Sequence, residues 1–271
     1  MAAEHEHATG LLLAAHGERS EEAVNHGVMR LAATLYSRGI VAEVATGFIK
    51  GRPSIGDGMR SLRCNRVLVY PLFLSAGYFT RVRLPQLLED ASAAEPHRTF
   101  HILSPLGLEP SLPDVVARSL IAQARRCAMA PKDACAVLLA HGSRTDPASR
   151  MAAERIARKL QRRALFRNVR VALLEESPSL SEAASALSPP ILVFGLFAGD
   201  GLHGAGDAPR LINELGCSDV VFAGTLANAD GVADVVTAAV ARMIPSGERA
   251  LRETVRRSRR ATGPVVATAA T

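Results

Sequence analysis

The chain contains the same sequence pattern twice, about 125 residues apart. The segment 12–17 ends in His16-Gly17, and it returns at residues 138–142, which end in His141-Gly142. Further matched pairs are Pro53-Ser54 with Pro178-Ser179, Leu72-Phe73 with Leu196-Phe197, and Asp114-Val115-Val116 with Asp234-Val235-Val236. Anchors that recur in the same order at a nearly constant offset indicate an internal duplication of domain size. The repeat therefore predicts two similar lobes that pack against each other.

Each copy alternates short apolar runs with amphipathic stretches. The runs are typical of buried parallel strands, and the stretches between them are typical of helices. Four strands alternating with four helices predict an α/β lobe, a doubly wound parallel sheet of the flavodoxin-like kind. We expect two such lobes with a cleft between them.

The predicted domains follow from the repeat and from the charge. Residues 1–9 are expected to be a flexible N-terminus, residues 10–130 the first lobe and residues 131–245 the second. The segment 246–271 carries six Arg and two Glu, so it supplies most of the formal net charge of +6. A polar, basic tail of this composition is predicted to be disordered.

Composition excludes several classes of protein. No run of about 18 apolar residues is present, so we expect no membrane span. The N-terminus has no basic apolar leader, and the four Cys form no Cys-x-x-Cys pair, which fits a cytoplasmic protein. With no Trp and three Tyr the chain offers few stacking surfaces, and we expect no nucleic-acid partner. The oligomeric state is left open.

Several titratable residues are predicted to meet at one edge of the sheets. Ligands of such sheets bind beyond the carboxyl ends of the strands. His16 and His141 directly follow the first predicted strand of each copy. In the second copy, Glu175 and Glu176 follow the second strand, and His203 lies in the glycine-rich loop after the third.

Two imidazoles and a carboxylate at one place suit a divalent first-row metal such as Fe, Co, Ni or Zn. A neutral histidine there can equally act as a base. Taken alone, each residue also fits a structural role, His141 as part of a tight turn and the two glutamates as solvated side chains. Their convergence favours a joint site.

The segments Leu-Leu-Ala-His-Gly-Ser-Arg (138–144), Leu-Glu-Glu-Ser-Pro-Ser-Leu (174–180) and Pro-Leu-Phe-Leu-Ser-Ala-Gly (71–77) resemble the sirohydrochlorin chelatase family in its long, two-repeat form. The resemblance covers residues 10–245. It implies that a tetrapyrrole binds in the cleft and receives Co²⁺ or Fe²⁺ without ATP, as in cobalamin and siroheme biosynthesis. It implies no cofactor beyond the metal substrate.

The resemblance also implies roles for single residues. The family's first histidine maps to His16 and His141, and its second maps to His203 but to Phe79 in the first copy. The acid maps to Glu175 or Glu176, whereas the first copy has Lys50 and Gly51 there. We therefore predict that the second copy holds the metal, with His141, His203 and Glu175 as catalytic residues and Glu176 as the alternative acid.

The first copy is then expected to form the other wall of the cleft. A sirohydrochlorin-like ring bears carboxylates at its rim, which require cations and N–H donors. The predicted substrate-binding residues are His16, Arg19, Lys50, Arg52, Tyr78, Phe79, Ser143 and Arg144.

Two rival interpretations remain. Because the first copy lacks most ligand-type residues, the chain could be a non-catalytic carrier of a tetrapyrrole or a metal. A nucleotide-binding protein of the same fold class is the other rival. The turns after the first strands contain neither Gly-x-Gly-x-x-Gly nor a P-loop, which argues against it.

Overall fold

The computed structural model describes residues 8–17, 25–93, 95, 97–198, 208–245 and 248 of the 271. The first copy contains β1 (Thr9–Ala15), α1 (His26–Arg38), β2 (Glu43–Phe48), α2 (Ile55–Ser61), β3 (Arg66–Pro71), α3 (Leu84–Ser92), β4 (Thr99–Ile102) and α4 (Leu112–Arg126). The second contains β5 (Cys135–Ala140), α5 (Ala148–Arg162), β6 (Asn168–Leu173), α6 (Leu180–Ser185), β7 (Ile191–Gly195), α7 (Ala208–Glu214), β8 (Val220–Thr225) and α8 (Val232–Met243). This alternation confirms the predicted α/β class.

The strands form two parallel sheets with matching order. The first lobe is built on the sheet β2-β1-β3-β4 and the second on β6-β5-β7-β8. The first strand of each copy is therefore an inner strand with a neighbour on both sides. None of the helices in the described part of the chain is long and apolar enough to cross a membrane.

Alternation along β1 divides its side chains between two cores. Leu11 and Leu13 belong to a large core that also includes residues of the second lobe, such as Leu138. Leu12 and Ala14 belong to a smaller core on the outer face of the first lobe. Because successive side chains of a strand point to opposite faces, one strand joins both cores. The large inner core holds the two lobes together.

The last helix of each copy packs on the sheet of the other copy. α4 lies against β7 and β8, and α8 lies against β3. Only the short connection between Cys127 and Ala134 separates α4 from β5, so α4 must run along the second sheet to bring the chain to the amino end of β5. The copies are thus interlocked by an exchange of helices.

The two halves of this interface repeat the same ion pair. Arg38 at the end of α1 pairs with Asp234 near the start of α8, at 2.8 Å. Arg163, just after α5, pairs with Asp114 near the start of α4, at 2.6 Å. These equivalent pairs indicate a pseudo-twofold axis between the lobes. All four side chains are at least partly exposed.

One polar contact of the interface is not repeated. Glu109 is only 2% exposed, and both of its carboxylate oxygens accept hydrogen bonds from Arg242 of α8, at 3.1 and 2.9 Å. The hydroxyl of Tyr70 is buried close by, and burial followed by the negative charge of Glu109 raises its pKa far above the usual value. Arg242 therefore supplies the positive charge that a buried carboxylate needs.

The loops that follow β2 and β6 both end in a capping box. Ser54 caps α2 together with Asp57, and Ser179 caps α6 together with Glu182. The hydrogen bonds with Ser54 hold the pKa of Asp57 at about 2, against the usual 3.8. The hydrogen bond from the Ser179 backbone, reinforced by Ser177, likewise lowers the pKa of Glu182. Equivalent caps thus fix the strand-end loops of both lobes.

We expect Arg242→Met to lower the free energy of unfolding by about 3 kcal/mol, because Glu109 would remain buried without its cation. The matched variant Arg38→Met removes an exposed pair from the same interface and should cost less than about 1 kcal/mol. Urea unfolding of both variants at neutral pH measures the difference. Equal losses would contradict the importance of the buried pair.

We expect Asp57→Asn to destabilise the protein at neutral pH but not in acid. A carboxyl whose pKa is lowered on folding stabilises above its unfolded pKa, and this contribution is lost as the pH falls through the folded pKa. The difference in unfolding free energy between Asp57→Asn and the parent chain should therefore shrink as the pH falls from 4 towards 2. In a Ser54→Ala background the difference should be smaller, because the hydroxyl is lost while the backbone N–H of residue 54 and Arg60 still bond Asp57.

Candidate functional site

His16 and His141 occupy the same place in the two lobes, directly after the carboxyl ends of β1 and β5. The neighbouring strand end joins each turn in the same way. The Lys50 N–H donates to the carbonyl of His16 at 2.8 Å, and the Glu175 N–H donates to the carbonyl of His141 at 3.1 Å. Lys50 and Glu175 are therefore structural equivalents, as the sequence repeat predicts.

A glycine follows each histidine because the turn has no room for a side chain. The φ angle is +74° at Gly17 and +76° at Gly142, a conformation that other residues rarely adopt. A Cβ atom at Gly17 would lie 1.8 Å from the carbonyl oxygen of Lys50. The His-Gly pair thus serves the backbone as well as the chemistry of the site.

In the second lobe the imidazole of His141 meets a carboxylate. His141 Nε2 lies 3.2 Å from Glu175 Oε1, and the two side chains are 44% and 53% exposed. An open imidazole–carboxylate pair can share a divalent cation or a proton. Within the described ranges no three His, Cys, Asp or Glu side chains form a cluster suited to a metal ion. The third predicted ligand, His203, lies outside these ranges, as does Arg19.

Glu176 has a different environment from its neighbour Glu175. Its Oε1 accepts from the N–H of Ser143 at 3.0 Å, and its Oε2 forms an ion pair with Arg150 of α5. Only 12% of the side chain is exposed. Because both oxygens are occupied in holding the His-Gly turn, the geometry favours Glu175 as the acid of the site.

Ser143 and Arg144, predicted to bind substrate, also shape this turn. The hydroxyl of Ser143 accepts from the N–H groups of Thr145 and Asp146, at 3.3 and 3.2 Å. Arg144 Nε donates to the carbonyl of Glu175 at 3.1 Å, which links the loops after β5 and β6.

In the first lobe an aromatic cluster takes the place of ligands. The ring of Phe79 meets the ring of His16 edge to face at 4.8 Å and stacks on Phe73 at 6.4 Å. Tyr78 contacts Phe79 at 5.6 Å and is 57% exposed. Phe79 opens a π-helical turn, Phe79–Arg83, that leads into α3. This side of the site therefore presents apolar, flat surface.

Two predicted cations lie after β2 in the same lobe. Lys50 is half-buried at the level of His16, and Arg52 is exposed two residues later. The first lobe thus has a cation at the position where the second has the Glu175 carboxylate.

A contact between the lobes joins the two walls, and the sequence did not predict it. Asp146, in the loop after His141, accepts a hydrogen bond from the N–H of Tyr78 at 3.3 Å. Asp146 also accepts from the Ala148 N–H at 2.9 Å, at the start of α5. Charge and spacing in the sequence do not indicate the contact with Tyr78, because Tyr78 takes part through its backbone N–H.

A cavity of about 430 Å³ lies between the lobes. The strand ends contribute Leu72, Leu106 and Leu226 to its lining, and Arg30 and Arg38 of α1 add positive charge. None of the predicted site residues in the described part of the chain lines this cavity, so it lies apart from the pair of His141 and Glu175.

Comparison with known proteins gives a consistent result. The family model for CbiX matches residues 10–123 and again residues 135–243, one match for each copy. A protein of Halobacterium salinarum named a probable sirohydrochlorin cobaltochelatase is 26% identical over 220 residues, which are 74% of this chain and 75% of that protein.

Solved structures share the architecture. CbiX, described as the terminal enzyme of siroheme biosynthesis in denitrifying bacteria, superposes with a TM-score of 0.70 and 25% identity, over 87% of this chain and 100% of that one. SirB from Bacillus subtilis with Fe³⁺ superposes with a TM-score of 0.73 and 17% identity, over 89% and 97% of the two chains. The predicted two-lobed fold is confirmed.

We expect Glu176→Gln and Glu175→Gln to differ in stability. Glu176→Gln loses the ion pair with Arg150, and Gln can accept only one of the two hydrogen bonds, so the free energy of unfolding should fall by about 1–3 kcal/mol. Glu175→Gln alters an exposed side chain and should change it by less than about 0.5 kcal/mol. Thermal and urea unfolding of the two variants test this. A larger loss for Glu175→Gln would reverse the assignment of the two glutamates.

Proposed function

The chain belongs to the CbiX family, and on this premise we propose that it inserts Co²⁺ or Fe²⁺ into sirohydrochlorin or a closely related tetrapyrrole without ATP. The double family match and the name of the H. salinarum relative support this proposal. So does the likeness to CbiX, an enzyme of siroheme biosynthesis. The observation that carries it in this chain is the open pair of His141 and Glu175, 3.2 Å apart at the edge of the cleft.

The second lobe presents the metal. Imidazole nitrogen and carboxylate oxygen are ligands that both Fe²⁺ and Co²⁺ accept, so the pair suits either ion. In the proposal His203 is the third ligand, as the resemblance to the chelatase family implies. Ligands that are half exposed can take up a hydrated ion and release it again, which suits a metal that is a substrate.

Insertion also requires the ring to lose two pyrrole protons as the dication enters, so the total charge is balanced. A neutral imidazole and a carboxylate regain free lone pairs once the metal leaves them for the ring, and they can then accept such protons. His141 and Glu175 lie 3.2 Å apart, so a proton taken by one can pass to the other and then to solvent. The site thereby couples metal binding to removal of protons.

The first lobe receives the other face of the ring. Phe79 and Tyr78 offer flat surface, and Lys50 and Arg52 place positive charge where the carboxylates of the tetrapyrrole would lie. A cation at position 50 also disfavours a second metal beside His16. In this proposal the second lobe binds the metal and the first lobe binds the tetrapyrrole ring.

We expect His141→Ala to lower the rate of metal insertion at least about 100-fold, because a ligand and proton acceptor is lost. His16→Ala is the matched control, since it removes the same residue from the equivalent turn of the other lobe. It should mainly weaken tetrapyrrole binding and lower the rate by less than about tenfold. Anaerobic absorption spectroscopy of sirohydrochlorin with Co²⁺ or Fe²⁺ follows the reaction directly.

The same spectra test the rival interpretation. A spectral shift on binding, without faster metal insertion for either ion, would identify a carrier and overturn the chelatase proposal. Equal losses for His141→Ala and His16→Ala would contradict the division of roles between the lobes.

A further inference from the structure

Asp146 is bonded to both walls of the cleft. Its Oδ2 accepts from the N–H of Tyr78 in the first lobe at 3.3 Å. Its Oδ1 accepts from the N–H of Ala148 at the start of α5 in the second lobe at 2.9 Å. One carboxylate therefore ties a loop of one lobe to a helix of the other.

The absence of a side chain at Gly77 is what lets the loops approach. A Cβ atom there would lie 2.6 Å from Asp146 Oδ2, whereas the nearest atom outside Asp146 is Ser75 Oγ at 3.5 Å. Steric conflict at this position thus comes from Asp146 alone. The two residues form a matched pair across the cleft.

Both ends of this contact lead to the candidate site. In the second lobe the Asp146 N–H donates to Ser143 Oγ at 3.2 Å, and Ser143 is held by Glu176 beneath the turn of His141. In the first lobe Tyr78 precedes Phe79, whose ring contacts His16 at 4.8 Å. A shift of Asp146 would therefore move residues of the candidate site in both lobes.

We propose that Asp146 is a positioning residue that fixes the spacing between the two walls, and with it the fit of the flat tetrapyrrole. The proposal rests on the function proposed above. A ring bound between two surfaces gains most when the surfaces are already held at the right separation, because no order has to be imposed on binding. Asp146 bonds Tyr78, Ser143 and Ala148, so its loss should alter the fit of the tetrapyrrole more than the binding of the metal.

Asp146→Asn separates the two contacts of the carboxylate. The amide oxygen can still accept from Ala148 and keep the helix cap, but the amide nitrogen then faces the Tyr78 N–H, donor to donor. Asp57→Asn is the control, because Asp57 also caps a helix but does so within the first lobe.

For Asp146→Asn we expect the Kd for sirohydrochlorin, measured by absorption or fluorescence titration, to rise about three- to tenfold. The Kd for Co²⁺ alone should change by less than about twofold, a split that general loosening of the fold would not produce. Hydrogen exchange of peptides covering residues 74–83 should become faster, since the Tyr78 amide loses its acceptor. Asp57→Asn should leave the Kd for Co²⁺ and the exchange of residues 74–83 unchanged.

A double-mutant cycle with Gly77 tests the pairing itself. Gly77→Ala should weaken tetrapyrrole binding in the parent chain, because the methyl group displaces Asp146. In an Asp146→Ala background the same change should have less than about a twofold effect, since the conflicting atom is gone. Effects that simply add would overturn the proposal.

Faster exchange confined to residues 143–148, with an unchanged Kd for the tetrapyrrole, would also overturn it. Failure of the proposed function is distinguishable, because it shows in the parent chain, which would then insert no metal. If the parent chain also bound no sirohydrochlorin, the positioning role would fall as well, whatever the exchange of residues 74–83 shows.

Discussion

Part of the inner face of each sheet is covered by a helix that the other copy supplies. α4 brings Leu112, Val116 and Leu120 fully into the inner core, and each such side chain contributes about 1.5–3 kcal/mol when buried. Neither sheet could bury its inner face without the other copy. The relative position of the lobes, and hence of the walls that carry His16 and His141, follows from this shared core. The geometry of the candidate site therefore depends on this shared core.

The two walls then show how one backbone supports two kinds of chemistry. The His-Gly turn is the same in both because its glycine has a positive φ that other residues rarely adopt, and at Gly17 a Cβ atom would also meet the Lys50 carbonyl. Positions 50 and 175 occupy the same place on this backbone but carry side chains of opposite charge. The first lobe has a cation there and the ring of Phe79 beside its imidazole, whereas the second has a carboxylate beside its imidazole.

The fold was predictable from sequence because the strands are apolar runs of strand length and the repeat verified each one against its partner. The exchange of α4 and α8 was not predictable, since an amphipathic helix shows that it has an apolar face but not which sheet covers it. The sequence also does not separate the environments of Glu175 and Glu176, because the side chains of adjacent residues point in different directions. In the structure it is Glu176 whose oxygens are bonded, to Ser143 and Arg150. The contact of Asp146 with Tyr78 was not predictable, because its donor is a backbone N–H that no side chain signals. The metal-ligand assignment itself, His203 above all, stays a prediction.

The connection between Cys127 and Ala134 has a consequence for how such a site can change. If two identical chains formed the same interface, every substitution would change both walls at once. A lysine introduced at this position of one wall would then also replace the glutamate of the other wall. Because the copies are joined in one chain, a mutation can change one wall without changing the other. The symmetry is kept at the interface ion pairs of Arg38 and Arg163. It is lost at positions 50 and 175 of the candidate site.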